Sequence, residues 1–174
     1  MKSILIVGGT GFTGSNLIKK LTKTDFQIVS ISKNKSSDIK GVISKKCDLS
    51  LPKNELKKFF FQLFNEYNFD FVFVLSSIFH CEKILDFCPY LNSTKFIILS
   101  SASILNRKTP GEYVRSIIEA ENKIKSKSSS FVIIRPNMIF GSYLDRNISK
   151  IYRYIEKRPI VFLPGFNGGL IQPI

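Results

Sequence analysis

The sequence predicts a doubly wound α/β fold, a parallel sheet covered by helices on both faces. Three observations predict it. Several short runs are apolar at every position instead of alternating with polar residues, as strands buried on both faces are. These runs alternate with amphipathic segments of helical period, the order of successive βαβ units. A turn carrying glycines at three-residue intervals joins the first run to the first amphipathic segment.

The elements follow in order. Ile4-Leu5-Ile6-Val7 is the first strand, ended by Gly8-Gly9. Residues 14–23 read as a helix with Leu17, Ile18 and Leu21 on one face. Residues 27–32 form a second strand and 42–47 a weaker third. Residues 54–67 carry the clearest helical pattern, with Leu56, Phe59, Phe60, Leu63, Phe64 and Tyr67 spaced along one face. Residues 69–75 and 96–99 are apolar strands separated by a short helical stretch at 81–87. A helix over 112–127, a strand over 131–134 and a last helix over 147–157 complete the series. Folds of this kind bind ligands at the carboxyl ends of their strands, so the residues just after each strand are where chemistry is expected.

Composition narrows the classes. With 174 residues the chain fits one domain, and a 44% hydrophobic content excludes a disordered chain. No run approaches the ~18 apolar residues of a membrane helix. The N-terminus turns glycine-rich after a short apolar run, unlike a signal peptide. Cys47, Cys81 and Cys88 lack CxxC spacing and His80 is the single histidine, so no metal site is expected. Free thiols without an export signal point to a reducing cytoplasm. The net charge of +13 is compatible with a nucleic-acid surface, an anionic ligand or a lysine-rich solvated surface. Basic residues are scattered in pairs such as Lys19-Lys20 and Lys57-Lys58, with no block of five or six, which disfavours nucleic acid. Tyr143, Tyr152 and Tyr154 interleave with Arg146, Arg153 and Arg158 near the C-terminus; this pattern is read as a dimer or substrate-side surface.

The turn Gly8-Gly9-Thr10-Gly11-Phe12-Thr13-Gly14 reads as GxxGxxG from Gly8 and as GxGxxG from Gly9. Glycines allow a tight turn and a close approach of pyrophosphate to the backbone. The following helix offers unpaired N–H groups and the positive end of its dipole. A glycine-rich turn without a ligand would not require that spacing. Dinucleotide binding is therefore expected here. Sites for NAD usually carry an acid after the second strand to bind the ribose 2′-hydroxyl. This strand instead ends Ile31-Ser32-Lys33-Asn34-Lys35. Ser32 and Lys33 would suit a 2′-phosphate, which favours NADP over NAD; the alternative is that these are solvated loop lysines.

With these residues in place, the chain resembles the short-chain dehydrogenase/reductase superfamily. The likeness is to its extended or atypical branch, the epimerase/dehydratase family acting on nucleotide sugars. Gly8 to Gly14 resembles that branch's phosphate turn, and Asp48-Leu49 its Asp-Leu that contacts adenine. Leu75-Ser76-Ser77 corresponds to a small-residue segment lining the cofactor. Leu99-Ser100-Ser101 resembles the strand carrying the catalytic Ser/Thr, and Tyr113 begins a Tyr-x-x-Ser helix running on to Glu121. Residues 134–141, with Arg135-Pro136 and Gly141, resemble the strand end beside the nicotinamide, and residues 169–174 the start of the next family segment.

The resemblance implies a Rossmann fold with an NAD(P) cofactor and hydride transfer on a nucleotide-linked sugar. In it Ser101 contacts substrate and Tyr113 is the acid/base. A phenol has a pKa near 10, and in the family a Lys one helical turn on lowers it. Here that position is Ile117, and Arg115 points elsewhere, so the Tyr-Lys motif is degenerate. Arg107 or Lys108 could supply the cation from a loop. The rival reading is a non-catalytic NADP-binding sensor or assembly module. Residues 1–174 are read as one dinucleotide-binding domain with the C-terminal substrate domain absent, so the chain is a fragment or a reduced protein. A homodimer is implied by the family alone.

Overall fold

A computed structural model of the protein describes residues 1–33, 39–105, 110–127, 130–141, 145 and 148–158. Residues 1–135 and 136–174 form two compact units. The first holds a six-stranded sheet built from β1 (Ser3–Val7), β2 (Gln27–Ser32), β3 (Val42–Lys46), β4 (Phe71–Val74), β5 (Lys95–Leu99) and β6 (Phe131–Ile134). Its helices are α1 (Phe12–Leu21), α2 (Lys53–Glu66), α3 (Cys81–Phe87) and α4 (Glu112–Lys127), with 3-10 turns at Ile78–His80 and Ala102–Leu105. The second unit contains α5 (Ile148–Glu156). Among the described residues no helix is long and apolar enough to cross a membrane.

The strand order is β3-β2-β1-β4-β5-β6 and every neighbouring pair is parallel. This is the expected doubly wound sheet. Chain order reverses between β1 and β4, and at such a switch point the loops diverge and leave a crevice. The register brings the carboxyl ends level, pairing Val7 with both Ile31 and Val74. Backbone bonds carry that alignment into the loops: Gly8 N–H donates to Ile31 O (2.8 Å), Leu75 N–H to Val7 O (2.9 Å) and Cys47 N–H to Ser32 O (2.9 Å).

Side chains of one strand alternate between two core layers. Leu5 and Val7 face a layer closed by Leu56, Phe60, Leu63 and Phe64 of α2, Ile84 and Leu85 of α3, and Ile117 and Ile124 of α4. Ile4 and Ile6 face the other way, against Ile18 of α1. The α2 stripe expected from spacing is the buried one, whereas Phe61 between its positions is 64% exposed. Each such phenylalanine burial contributes about 1.5–3 kcal/mol.

The differences from expectation have local causes. α1 begins two residues early, because Gly11 already serves as its N-cap. β4 is shorter than its apolar run, with Phe69 buried ahead of the strand and Asp70 Oδ2 accepting from Ser3 N–H at 2.7 Å. Only one face of β6 packs on the core, through Phe131 and Ile133, so Val132 and Ile134 on the other are exposed in spite of an all-apolar sequence. In the second unit, Asp145 Oδ1 accepts from Ser149 N–H (3.0 Å) at the start of α5, whose Ile151, Tyr152, Tyr154 and Ile155 are exposed.

Candidate functional site

The site is built outward from the glycine turn. Gly8 has φ +91°, a backbone state that side chains resist, and a Cβ there would stand 2.9 Å from Ser76 N. A Cβ on Gly14 would stand 2.3 Å from Gly8 O, so the start of α1 packs directly on the turn. No side chain caps α1 and no acid lies in its first turn, so its positive end faces the crevice unopposed. The turn is thus shaped by backbone approach, with no ligand-like side chain filling it.

Two small cavities flank the turn and share Ser76. The first, about 200 Å³, lies over the ends of β1, β2 and β3. Gly8, Thr10, Ser32, Lys33, Asp48, Leu49 and Ser76, all expected at a dinucleotide site, line it together. Cys47 and His80 line it as well; His80, behind the carboxyl end of the fourth strand, is expected near the cofactor cleft from its position, whereas Cys47 was given no binding role. Their signal was position: each directly follows, or lies close behind, a strand end. Lys33 Nζ lies 2.9 Å from Asp48 Oδ2, so the cation expected to meet a 2′-phosphate is already paired. Asp48 Oδ1 also accepts from Ser50 N–H (2.9 Å) and Ser50 Oγ–H (2.7 Å). The hydrogen bond from Lys33, then those from Ser50, hold the Asp48 carboxyl well below the usual range. Burial, helped by the charge of Lys83, lowers His80 and leaves it neutral at pH 7. Burial also pushes the Cys47 thiol up to about 11, far from a reactive thiolate.

The second cavity, about 220 Å³, lies over the ends of β4 and β5. Ser76, Ser77, Ser101 and Tyr113 line it, as expected, and so does Ile117. Ser101 Oγ lies 2.9 Å from Ser103 Oγ and accepts from Ser103 N–H at 3.2 Å. Tyr113 is 68% exposed, with its ring edge-on to Phe79 at 6.3 Å. Ile117 is 2% exposed and belongs to the core, so the residue one turn after Tyr113 seals the cavity floor with hydrocarbon. Among the described residues lining this cavity there is no Lys, Arg or His. Arg115 turns away, donating Nε–H to Pro110 O at 3.0 Å. Arg107 and Lys108, the loop cations considered above, lie outside the described residues, as do Tyr143, Arg146 and 169–174.

The remaining expected residues are placed as follows. Gly11, Phe12, Thr13 and Gly14 form the cap and first turn of α1. Leu75 packs in the α1-side core layer, and Pro136 opens the second compact unit. Arg135 is paired, its Nε and Nη2 donating to Glu121 at 2.9 and 2.5 Å. Glu121 is 2% exposed and its Oε1 also accepts from Ser100 Oγ–H at 2.7 Å, tying α4 to the ends of β5 and β6. Burial pushes its carboxyl up, but the bonds and charge from Arg135 and Ser100 outweigh that and hold it below its ordinary value. Ser76 Oγ, between the two cavities, is buried with no hydrogen-bond partner among the described residues.

Comparison with known proteins bears on this groove. Residues 4–83 match the model of the NAD dependent epimerase/dehydratase family. A curated relative, an NmrA-like family domain-containing protein of Dictyostelium discoideum, is 36% identical over 64 residues, 33% of this chain and 21% of that protein. Among solved structures, the Bordetella bronchiseptica enzyme WbmH in complex with NAD+ superposes with TM-score 0.74 at 14% identity, over 90% of this chain and 63% of the other. The UDP-glucose 4-epimerase of Brucella ovis in complex with NAD gives TM-score 0.66 at 17% identity, over 82% and 54%. A wide-type short-chain dehydrogenase/reductase of Veillonella parvula in complex with NADP gives 0.62 at 18%, over 81% and 71%. The chain thus spans less than two thirds of WbmH and about a fifth of the curated relative. The resemblance to the extended branch of the short-chain dehydrogenases/reductases and the Rossmann-like sheet are both borne out.

Proposed function

We propose that this protein, whose residues 4–83 carry the pattern of the NAD dependent epimerase/dehydratase family, binds NAD(P) along the two-ended groove and interconverts a hydroxyl and a carbonyl on a nucleotide-linked sugar. The observation that carries the reading is the turn from Gly8 to Gly14. It is a tight backbone turn in which a Cβ at Gly8 or Gly14 would strike Ser76 N or Gly8 O, beneath a helix end with no capping side chain. The buried, partnerless Ser76 Oγ fits the same reading, since a ligand lying across both cavities would give it a hydrogen bond. Gly8, Gly11 and Gly14 would admit the pyrophosphate, Ser32 and Lys33 would meet a 2′-phosphate, and Asp48 and Leu49 the adenine. When bound, the nicotinamide supplies or accepts a hydride. Ser101 would hold the substrate oxygen and Tyr113 would carry the proton.

A second reading, a non-catalytic NADP-binding module of the same fold, is favoured by Ile117, which puts buried hydrocarbon where the family has its cation. Fluorescence titration with NADPH and NADH tests the shared premise, and absence of binding to both overturns it. Single-turnover hydride transfer with a panel of nucleotide sugars then separates the two. Transfer that is lost in Tyr113→Phe supports the enzyme, whereas binding without transfer supports the module.

A further inference from the structure

The adenosine end of the groove carries a charge arrangement that family likeness does not imply. Lys33 follows β2 and Asp48 follows β3, and the parallel pairing of these strands brings both side chains to one cavity rim. There Lys33 Nζ and Asp48 Oδ2 are 2.9 Å apart. His80, on the same wall, is neutral at pH 7, and Lys83 Nζ is engaged with Leu49 O at 3.5 Å. Among the described residues lining this cavity, Lys33 and Asp48 are the oppositely charged pair, side by side.

Resting on the NAD(P) reading, we propose that Asp48 is a specificity-determining residue of this groove: its carboxylate, by holding Lys33, limits the preference for a 2′-phosphorylated dinucleotide that Lys33 and Ser32 would otherwise impose. A phosphate close enough to pair with Lys33 stands within a few ångströms of the Asp48 oxygens. To make the contact, Lys33 must give up part of its attraction to Asp48. A ribose 2′-hydroxyl does not require that exchange. Side-chain exposures of 61% for Lys33 and 29% for Asp48 keep the effect modest through solvent screening. The groove consequently accepts both cofactor forms, with only a small advantage to NADPH.

The test isolates the charge. Asparagine at 48 keeps an Oδ1 that accepts from Ser50 N–H and Oγ–H, so Asp48→Asn retains the turn and loses only the negative charge. The readout is the ratio of dissociation constants for NADH and NADPH, by fluorescence titration of the full chain at low salt. We expect the ratio to rise about fivefold in Asp48→Asn and to fall about fivefold in Lys33→Met. The Asp48→Asn change should shrink in the Lys33→Met background and at high salt. An unchanged ratio in either single variant overturns the inference while leaving cofactor binding intact. A full-sized Asp48→Asn change in the Lys33→Met background overturns it too, since the carboxylate would then act without the lysine. Failure of the native chain to bind either nucleotide is a different result and removes the NAD(P) reading itself.

Discussion

The two ends of the groove are built in different ways. At the glycine turn the geometry is made by backbone: Gly8 and Gly14 approach Ser76 N and Gly8 O more closely than any side chain would allow. At the Tyr113 end the geometry is made by side chains, with Ser101 and Tyr113 on an apolar floor of Ile117 and Leu99. The first end is constrained where Gly8, Gly9 and Gly14 leave no room for a Cβ. The second carries the buried Glu121–Arg135–Ser100 cluster, with no Lys, Arg or His among the described residues lining its cavity. On the reading proposed above, cofactor binding rests on the first end and turnover on the second.

The largest expected effect falls on the backbone-built end. In Gly14→Ala the added Cβ meets Gly8 O at 2.3 Å, so the turn must open. Overpacking of this kind costs about 1–3 kcal/mol of stability. Affinity for NADPH should fall on the order of a hundredfold, about 2.7 kcal/mol, by fluorescence titration. Binding that survives unchanged would mean that the turn does not hold the dinucleotide, and the contrast between the ends would vanish.

The next effect falls on the scaffold of the other end. Arg135→Met leaves Glu121 buried without its main partner. Breaking a buried ion pair costs about 3–5 kcal/mol, and the one-third exposure of Arg135 reduces this to about 2–3 kcal/mol. Urea unfolding should show that loss, whereas NADPH affinity in the folded variant should change less than about threefold. A large loss of affinity would show that the ends are coupled through α4.

A smaller effect should appear when the missing cation is supplied. Ile117→Lys places an ammonium one helical turn from Tyr113, on the floor of the same cavity. It sacrifices a core side chain, costing about 1–3 kcal/mol in a thermal melt. Single-turnover transfer at neutral pH should rise about tenfold, and Tyr113→Phe in that background should abolish the gain. No gain, in a variant that still binds cofactor, would favour the non-catalytic module.

Much of this was legible in the sequence. β2, α3, α4 and β6 have the bounds that apolar runs and helical spacing predicted, because local patterning alone defines them. The glycine turn was legible because its spacing reflects a backbone requirement. The exposed face of β6 was not, since which face of a strand is covered depends on how the other elements pack, which no local run encodes. Nor were the destinies of the charges. Lys33 and Arg135 each follow a strand, Lys33 after β2 and Arg135 after β6; Lys33 reads as a cation for a 2′-phosphate and Arg135 as part of the strand end beside the nicotinamide. Their partners, Asp48 and Glu121, come from other elements and meet them only once the sheet is assembled. Position along a strand predicts which residues reach the groove better than it predicts what charge they bring.

That point can be tested through pH, where the expected effect is the smallest. Glu121 is held below its ordinary pKa in the folded protein, because the bonds from Arg135 and Ser100 outweigh burial. A carboxyl with a lowered folded pKa binds fewer protons folded than unfolded. Its stabilisation is therefore fully present above the unfolded value, near 4.5, and is lost as pH falls through the folded value. Unfolding midpoints in urea should be flat across neutral pH and decline below about pH 4.5. Glu121→Gln removes the titrating group but keeps an oxygen for Ser100 and Arg135. It should be less stable than the native chain at pH 7 and show a shallower decline on the acid side. An equal decline in both would assign the acid limb to other carboxylates, with Asp48 and Asp86, also lowered by lysine partners, the first to examine. The scaffold at the Tyr113 end would then rest on packing of α4 more than on its buried charge.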